Sequence, residues 1–162
     1  LTTQHGRAGM PDGLDVIIVD DDAAVCQMTT DTVRGFYSWG QVRAFSQPDE
    51  AILYCLSCQY GVAIFIVDVF LGGKSGFFFL DAVEKKFPSA HQDAIVVTGH
   101  ASDDVVNMCM ASNVHHLLEK PLRPFALQFA VRAIAEKYVS FAKRLIEDQA
   151  FARSIAGLNS HA

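Results

Sequence analysis

Val62-Ala63-Ile64-Phe65-Ile66-Val67 runs without interruption into one carboxylate, Asp68, and from there into Val69-Phe70-Leu71-Gly72-Gly73-Lys74-Ser75-Gly76. Six apolar residues, four of them β-branched, fill one strand length. A run with no polar alternation marks a strand buried on both faces, the central position of a parallel sheet covered by helices. Ligands of such sheets bind just outside the carboxyl ends of the strands, and Asp68 stands at that end. The loop with three glycines then leads into Phe77-Phe78-Phe79-Leu80, the opening of a helix-like stretch.

Upstream, Leu14-Asp15-Val16-Ile17-Ile18-Val19 is a second apolar run, and it ends in Asp20-Asp21-Asp22. Ala23 to Trp39 has helix-compatible spacing (Val25, Met28, Thr32, Phe36), with Gly40 as its stop. Gln41 to Phe45 reads as a short strand. Ser46-Gln47-Pro48-Asp49-Glu50 supplies an N-cap serine, an early proline and acidic first-turn residues for a helix reaching Gln59. Downstream, Gly76 to Phe87 is a helix closed by Pro88, Ala94 to Thr98 a strand, and Asp103 to Ser112 a helix with carboxylates in its favourable first turn. Val114 to Leu118 is the last strand, and a long helix begins at Arg123 or Pro124. Strands and helices alternate, five of each, which implies right-handed βαβ units and a doubly wound parallel α/β sheet.

With 162 residues, 51% of them hydrophobic and 19% charged, the chain is expected to form one globular domain rather than a disordered segment. A net charge of −5 disfavours a nucleic-acid-binding surface. No stretch reaches the roughly 18 apolar residues of a membrane span, and Leu1 to Gly13 lacks the apolar centre of a signal peptide. The expected compartment is the cytoplasm, with neither nucleic acid nor membrane as a partner. The chain begins with Leu, as a piece of a longer protein would. Around Cys55-x-x-Cys58 no second pair or spaced His pair completes a zinc site, so Cys26, Cys55, Cys58 and Cys109 are read as free, packed thiols.

Parallel strands put their carboxyl ends on one rim. Asp20 and Asp21, Asp68 and Thr98 gather there, with Lys120 just past the fifth strand. Taken singly, these are a solvated turn, a helix cap, a packing threonine and a surface lysine. Taken together they are more specific. Three clustered carboxylates raise one another's pKa values unless a cation joins them. Oxygen ligands of this kind suit Mg²⁺, or Mn²⁺, bound by one or two carboxylates and a phosphate. A lysine and a hydroxyl facing that metal serve the other oxygens of a phosphoryl group, and a carboxylate that attacks phosphorus yields an aspartyl phosphate. Asp22 is read as solvated or as the cap of the first helix. His100 alone among the histidines is placed near this rim; His5, His91, His115, His116 and His161 lack ligand spacing and are read as solvated or packed.

In Val19-Asp20-Asp21, Asp68 with Gly76 eight residues on, Val96-Val97-Thr98-Gly99 and Glu119-Lys120-Pro121, the sequence resembles the receiver domains of two-component response regulators, over residues 14 to 128. The resemblance implies a flavodoxin-like sheet of strand order 2-1-3-4-5. It implies that Asp68 accepts a phosphoryl group from the phosphohistidine of a sensor histidine kinase or phosphotransfer domain. Asp21, Asp68 and the backbone carbonyl of Phe70 would hold Mg²⁺, with Asp20 acting through bound water. Thr98 would hydrogen-bond the phosphoryl group and Lys120 pair with it. The Lys120–Pro121 peptide would be cis, and the fourth helix, fifth strand and fifth helix would form the readout face. Such a domain phosphorylates itself and is not a substrate-turnover enzyme.

Several positions depart from the family pattern. Leu71-Gly72 stands where relatives often have an apolar residue and proline, which frees the loop after Asp68. Leu117 replaces a Tyr or Phe that swings inward on phosphorylation, so any switch is expected to rely on Thr98 and loop movement. Asn113 replaces a turn glycine and tolerates the left-handed conformation best after Gly. Phe70 and His100 flank the phosphate in relatives, and a bulky Phe70 is expected to shield an acyl phosphate from water.

Beyond the family's usual end, Leu127, Val131, Ile134, Tyr138, Phe141 and Leu145 continue a heptad seam that Asp148 breaks, with Gly157 as the expected end. The expected division is a leader at 1–13, a receiver at 14–128 and an extended C-terminal helix at 129–162. That helix either frays or, as the apolar stripe favours, dimerises or leads toward an output domain. Two other functions compete. A haloacid-dehalogenase-like phosphatase would use Asp20 as nucleophile and Asp22 as general acid, but it needs an acidic pair after the lysine strand, and the next acid after Lys120 is Glu136. It also leaves Asp68 idle. A non-phosphorylated pseudo-receiver is the reading that Leu117 keeps open.

Overall fold

The computed structural model describes residues 13–158. In chain order the elements are β1 (Val16–Val19), α1 (Ala23–Phe36), β2 (Val42–Phe45), α2 (Pro48–Ser57), β3 (Ile64–Asp68), β4 (Phe70–Leu71), β5 (Lys74–Ser75), α3 (Gly76–Val83), β6 (Ala94–Thr98), α4 (Asp103–Ala111), β7 (His116–Glu119), α5 (Pro124–Glu147) and α6 (Gln149–Leu158). The main sheet has the order β2-β1-β3-β6-β7, every pair parallel. Counted over its five strands this is 2-1-3-4-5, the flavodoxin-like order. β4 and β5 form a separate antiparallel hairpin.

Alternate side chains of each strand enter opposite cores, which is why the sequence shows unbroken apolar runs. Ile17, Val19, Phe65, Val67 and Val96 pack against Leu80, Val83 and Phe87 on one face. Val16, Ile18, Ile64, Ile66, Ile95 and Val97 meet Val33, Leu127, Val131 and Ile134 of α1 and α5 on the other. Phe65 is the aromatic centre of the first core, edge-on to Phe79 at 6.0 Å and to Phe87 at 5.3 Å between ring centroids.

Helix ends depart from the sequence expectation where a tertiary contact intervenes. α1 stops at Phe36 rather than Trp39 because Tyr37 leaves the helix, its hydroxyl reaching the carbonyls of Leu14 (2.5 Å) and Trp39 (3.1 Å). Gly40 then turns the chain at φ +151°, where a Cβ would lie 2.0 Å from the Leu14 carbonyl oxygen. The N-cap of α2 is Gln47, not Ser46, and makes no side-chain cap bond; Pro48 at the helix start sets the geometry instead. α3 ends at Val83 rather than Phe87, because tight turns (Lys86 N to Val83 O, 3.0 Å) carry the Phe87 ring into the core. The last strand starts and ends later than expected, at His116–Glu119. Asn113 adopts φ 58°, and the Lys120–Pro121 peptide is cis.

The expected single C-terminal helix is two helices. Asp148 accepts from the Phe151 amide at 2.9 Å, the capping geometry that starts α6, and Gly157 lies inside α6 rather than ending it. α6 turns against α5: the Phe151 ring is 5.7 Å from Phe141, and the Arg144 guanidinium sits 3.6 Å over it. Part of the seam expected to be open therefore has a partner within the chain. No helix among the described residues is long and apolar enough to cross a membrane. The four cysteines are free.

Where α5 leaves the sheet it is tied down by a charge. Asp93, only 1% exposed at the start of β6, accepts from Lys137 Nζ at 2.5 Å and from the Tyr138 hydroxyl. Burial, and then the bond to Asp93, push the Tyr138 hydroxyl well above the usual phenol range. Tyr138→Phe keeps the ring but leaves a buried carboxylate short of a donor. It should lower unfolding free energy by about 1.5–3 kcal/mol, measured by urea denaturation.

Candidate functional site

β1 and β3 are neighbours in register, Val19 opposite Val67, so Asp20 and Asp68 leave the sheet side by side at its carboxyl rim. Both are nearly buried, at 4% and 6% exposure. Asp20 Oδ1 accepts from the Asp22 amide (2.9 Å), and Asp68 Oδ1 from the Phe70 amide (2.8 Å). Their other oxygens share one cation: Lys120 Nζ donates to Asp20 Oδ2 at 2.9 Å and to Asp68 Oδ2. Lys120 reaches them from the end of β7, its own amide held by the Thr98 carbonyl at 2.8 Å.

The electrostatics follow from burial. Desolvation pushes the Asp20 carboxyl above the usual carboxylate range, and the Asp68 charge adds to it. The Asp22 amide and Lys120 pull the other way without cancelling the effect. Burial also works against the Lys120 ammonium, but its hydrogen bonds to Asp68 and Asp20 outweigh that, and it titrates above an ordinary lysine. One ammonium is too little for the acids gathered here.

Asp21 is exposed. Its Oδ2 accepts from the Gly72 amide at 3.1 Å, which ties the loop after β1 to the β4–β5 hairpin. That hairpin stands where an unconstrained loop was expected. Gly72 takes φ +65° at its tip, and Phe70 projects 68% exposed. Gly76 closes the loop. A Cβ there would lie 2.3 Å from the Asp68 carbonyl oxygen, so the first residue of α3 packs directly on the backbone of Asp68. Asp22 caps α1, accepting from the Ala24 amide at 2.8 Å.

Thr98 is buried at the end of β6, but its hydroxyl is engaged within its own loop. It donates to the His100 carbonyl (3.0 Å) and accepts from the His100 amide (3.3 Å). Leu117 packs at the margin of the core on the α3 face. Glu119, given no role from sequence, accepts from the Ala101 amide at 2.9 Å and so joins the loop after β6 to the end of β7. Its position beside Lys120 was the one available signal. Asp20, Asp68 and Lys120 are thus in direct contact, Asp21 borders them through Gly72, and Thr98 is near in the fold with its hydroxyl turned to His100.

A five-stranded doubly wound sheet with carboxylates and a lysine on its carboxyl rim defines the flavodoxin-like class of α/β proteins. Within that class, the profile of the response regulator receiver domain family matches residues 16–132, and the chain belongs to this family of two-component systems. Among solved structures it is similar to a CheY-like response regulator receiver domain from Methanospirillum hungatei JF-1 (20% identity, 76% of this chain and 94% of that one, TM-score 0.66). It is similar also to a receiver domain protein from Clostridium thermocellum (20% identity, 79% and 98%, TM-score 0.68). A third is the beryllofluoride-activated NtrC4 receiver domain dimer (20% identity, 76% and 98%, TM-score 0.65). At this identity the likeness is one of fold. No curated protein matches the sequence.

An acid whose folded pKa is raised costs stability above that pKa, and the cost vanishes below its unfolded value. Asp20→Asn should therefore melt higher than the parent at pH 7, and the gap should narrow as pH falls toward the ordinary value of 3.8. Thermal melts across pH in metal-free buffer check this.

Proposed function

We propose that the domain receives a phosphoryl group on Asp68 from a phosphohistidine and relays the resulting change in charge, as a cytoplasmic signalling module rather than a turnover enzyme. The observation that carries this is the sharing of Lys120 Nζ by Asp20 and Asp68, two nearly buried carboxylates at one strand rim.

The donor set fits a hard divalent cation. Asp20 is raised by burial and by its neighbour, and the rim holds more carboxylates than cations. Asp21, Asp68 and the Phe70 carbonyl would hold Mg²⁺, or Mn²⁺, with Asp20 acting through water. When bound, the ion neutralises the carboxylates and phosphoryl oxygens.

An Asp68 carboxylate oxygen attacks phosphorus, the P–N bond to the donor imidazole breaks, and that nitrogen keeps the electron pair and takes up a proton. Lys120, already within bonding distance of Asp68 Oδ2, transfers its hydrogen bonds to the incoming phosphoryl oxygens. The group adds about −1.5 to −2 charge, by analogy with other phosphorylated side chains. Thr98 reaches it by giving up its bonds to His100. With Leu117 in place of an aromatic, this exchange and the attached loop are the proposed switch, read out through α4, β7 and α5.

Acetyl phosphate with Mg²⁺ should add one phosphoryl group by intact mass. Asp68→Asn or chelation should abolish the gain. Hydrolysis of a phosphate ester that depends on Asp20 would instead support the phosphatase, and no gain at all the pseudo-receiver.

The α5–α6 segment is the proposed self-association surface. Ile146 is 83% exposed and Val139 49%, and the NtrC4 receiver domain is described as a dimer when activated. Sedimentation with beryllofluoride and Mg²⁺ should give a dimer that Ile146→Glu weakens, whereas a strict monomer removes this part of the proposal.

A further inference from the structure

At the end of α3 away from Asp68, the fold gathers a second set of ligand atoms. Asp81 lies in the last turn of α3 and Glu84, its C-cap, three residues on, and His91 follows in the connection to β6. One carboxylate oxygen from each acid and one imidazole nitrogen all lie within 4.8 Å of one another. His91 is 7% exposed, and its Nε2–H points to Asp81 Oδ1 at 2.8 Å. Both acids are open to solvent. Spacing alone reads His91 as solvated or packed, because its partners lie ten and seven positions upstream across an irregular turn.

Two features make this more than a surface ion pair. The acids stand at the wrong end of the helix: the carbonyl dipoles of the last turn repel them, and no basic residue in that turn compensates. Moreover, the Glu84 carboxylate has no hydrogen bond or ion pair with any described residue, and the only partner of the Asp81 carboxylate among them is His91. The arrangement thus brings two carboxylates to a half-fixed imidazole and leaves the position between them open to a cation.

We propose that Asp81, Glu84 and His91 form a binding site for a divalent transition-metal ion of the Zn²⁺ class, separate from the rim of Asp68. One imidazole nitrogen and two carboxylate oxygens match Zn²⁺, with a fourth position left to water, whereas Mg²⁺ prefers oxygen throughout. On binding through Nε2, that nitrogen gives up its proton to solvent and the neutral imidazole carries its one proton on Nδ1. The His91–Asp81 hydrogen bond is exchanged for metal bonds to both groups. The ion would join the end of α3 to the segment entering β6, next to Asp93 and its bonds to α5.

Isothermal titration of the full chain with Zn²⁺, in excess Mg²⁺, should show one equivalent bound. Glu84→Gln, which removes no bond of the fold, should weaken this at least about tenfold while leaving acetyl phosphate uptake unchanged. Asp81→Asn should do the same, and Asp68→Asn should not. Co²⁺ should bind with an absorption spectrum free of a thiolate charge-transfer band. Absence of Zn²⁺ binding, unchanged affinity in Glu84→Gln, or binding lost in Cys58→Ser with a thiolate band would each overturn the proposal.

Discussion

The Lys120 ammonium between Asp20 and Asp68 is the contact on which the rest of the rim depends. Both acids are forced inward by the strands that carry them, and a nearly buried carboxylate without a counter-charge is costly. β3 and β7 are not adjacent; β6 lies between them. Lys120 can therefore meet Asp68 only by extending its whole side chain across the end of β6, and the Thr98 carbonyl that holds its amide fixes the starting point. Burial holds the Asp20 carboxyl above the usual carboxylate range, and its share of the Lys120 ammonium does not offset that. The rim is thus stable enough to fold and still short of positive charge, the condition under which a metal ion and a phosphoryl group can each be accommodated.

The sheet was legible because its information is local. Strands buried on both faces must be apolar at every position, and each such run ended in the polar residues that now meet. What the sequence did not disclose were contacts between distant residues. Nothing near Tyr37 says that its hydroxyl will reach the Leu14 carbonyl and end α1 early. Nothing near Phe87 says that its ring will stand against Phe65 and shorten α3. Asp148 was visible as a break in the heptad seam, but its second role, capping a helix that folds back, depends on Phe151 finding Phe141.

The same division holds at the rim. Which residues assemble could be read from strand order, while how they share their bonds could not. Thr98 and Lys120 look equivalent as strand-end polar groups, yet Lys120 bonds directly to both acids and the Thr98 hydroxyl is occupied by the His100 backbone. The difference is one of reach. A hydroxyl on Cβ readily satisfies itself in its own turn, whereas the long lysine stem crosses a strand. A short, self-satisfied donor beside an extended, shared one gives the rim one group that must be released and one that is already engaged.

α5 connects that rim to the opposite one. It begins four residues after Lys120 and is tied by Lys137 and Tyr138 to Asp93, at the other end of β6. At about 1.5 Å per residue its 24 residues span roughly 36 Å, and its last buried side chain is Ala135. Up to that point the helix is core; beyond it, α5 and α6 have no fully buried residue and, past Tyr138, meet each other through Phe141 and Phe151. A helix is stiff on this scale and Asp93 fixes it near its middle. The arm from Pro124 to Lys137 is the longer one and is packed on the sheet through Leu127, Val131 and Ile134, whereas the arm beyond Tyr138 is exposed. The buried carboxylate at the foot of β6 is thus the last point at which side-chain hydrogen bonds tie α5 to the sheet.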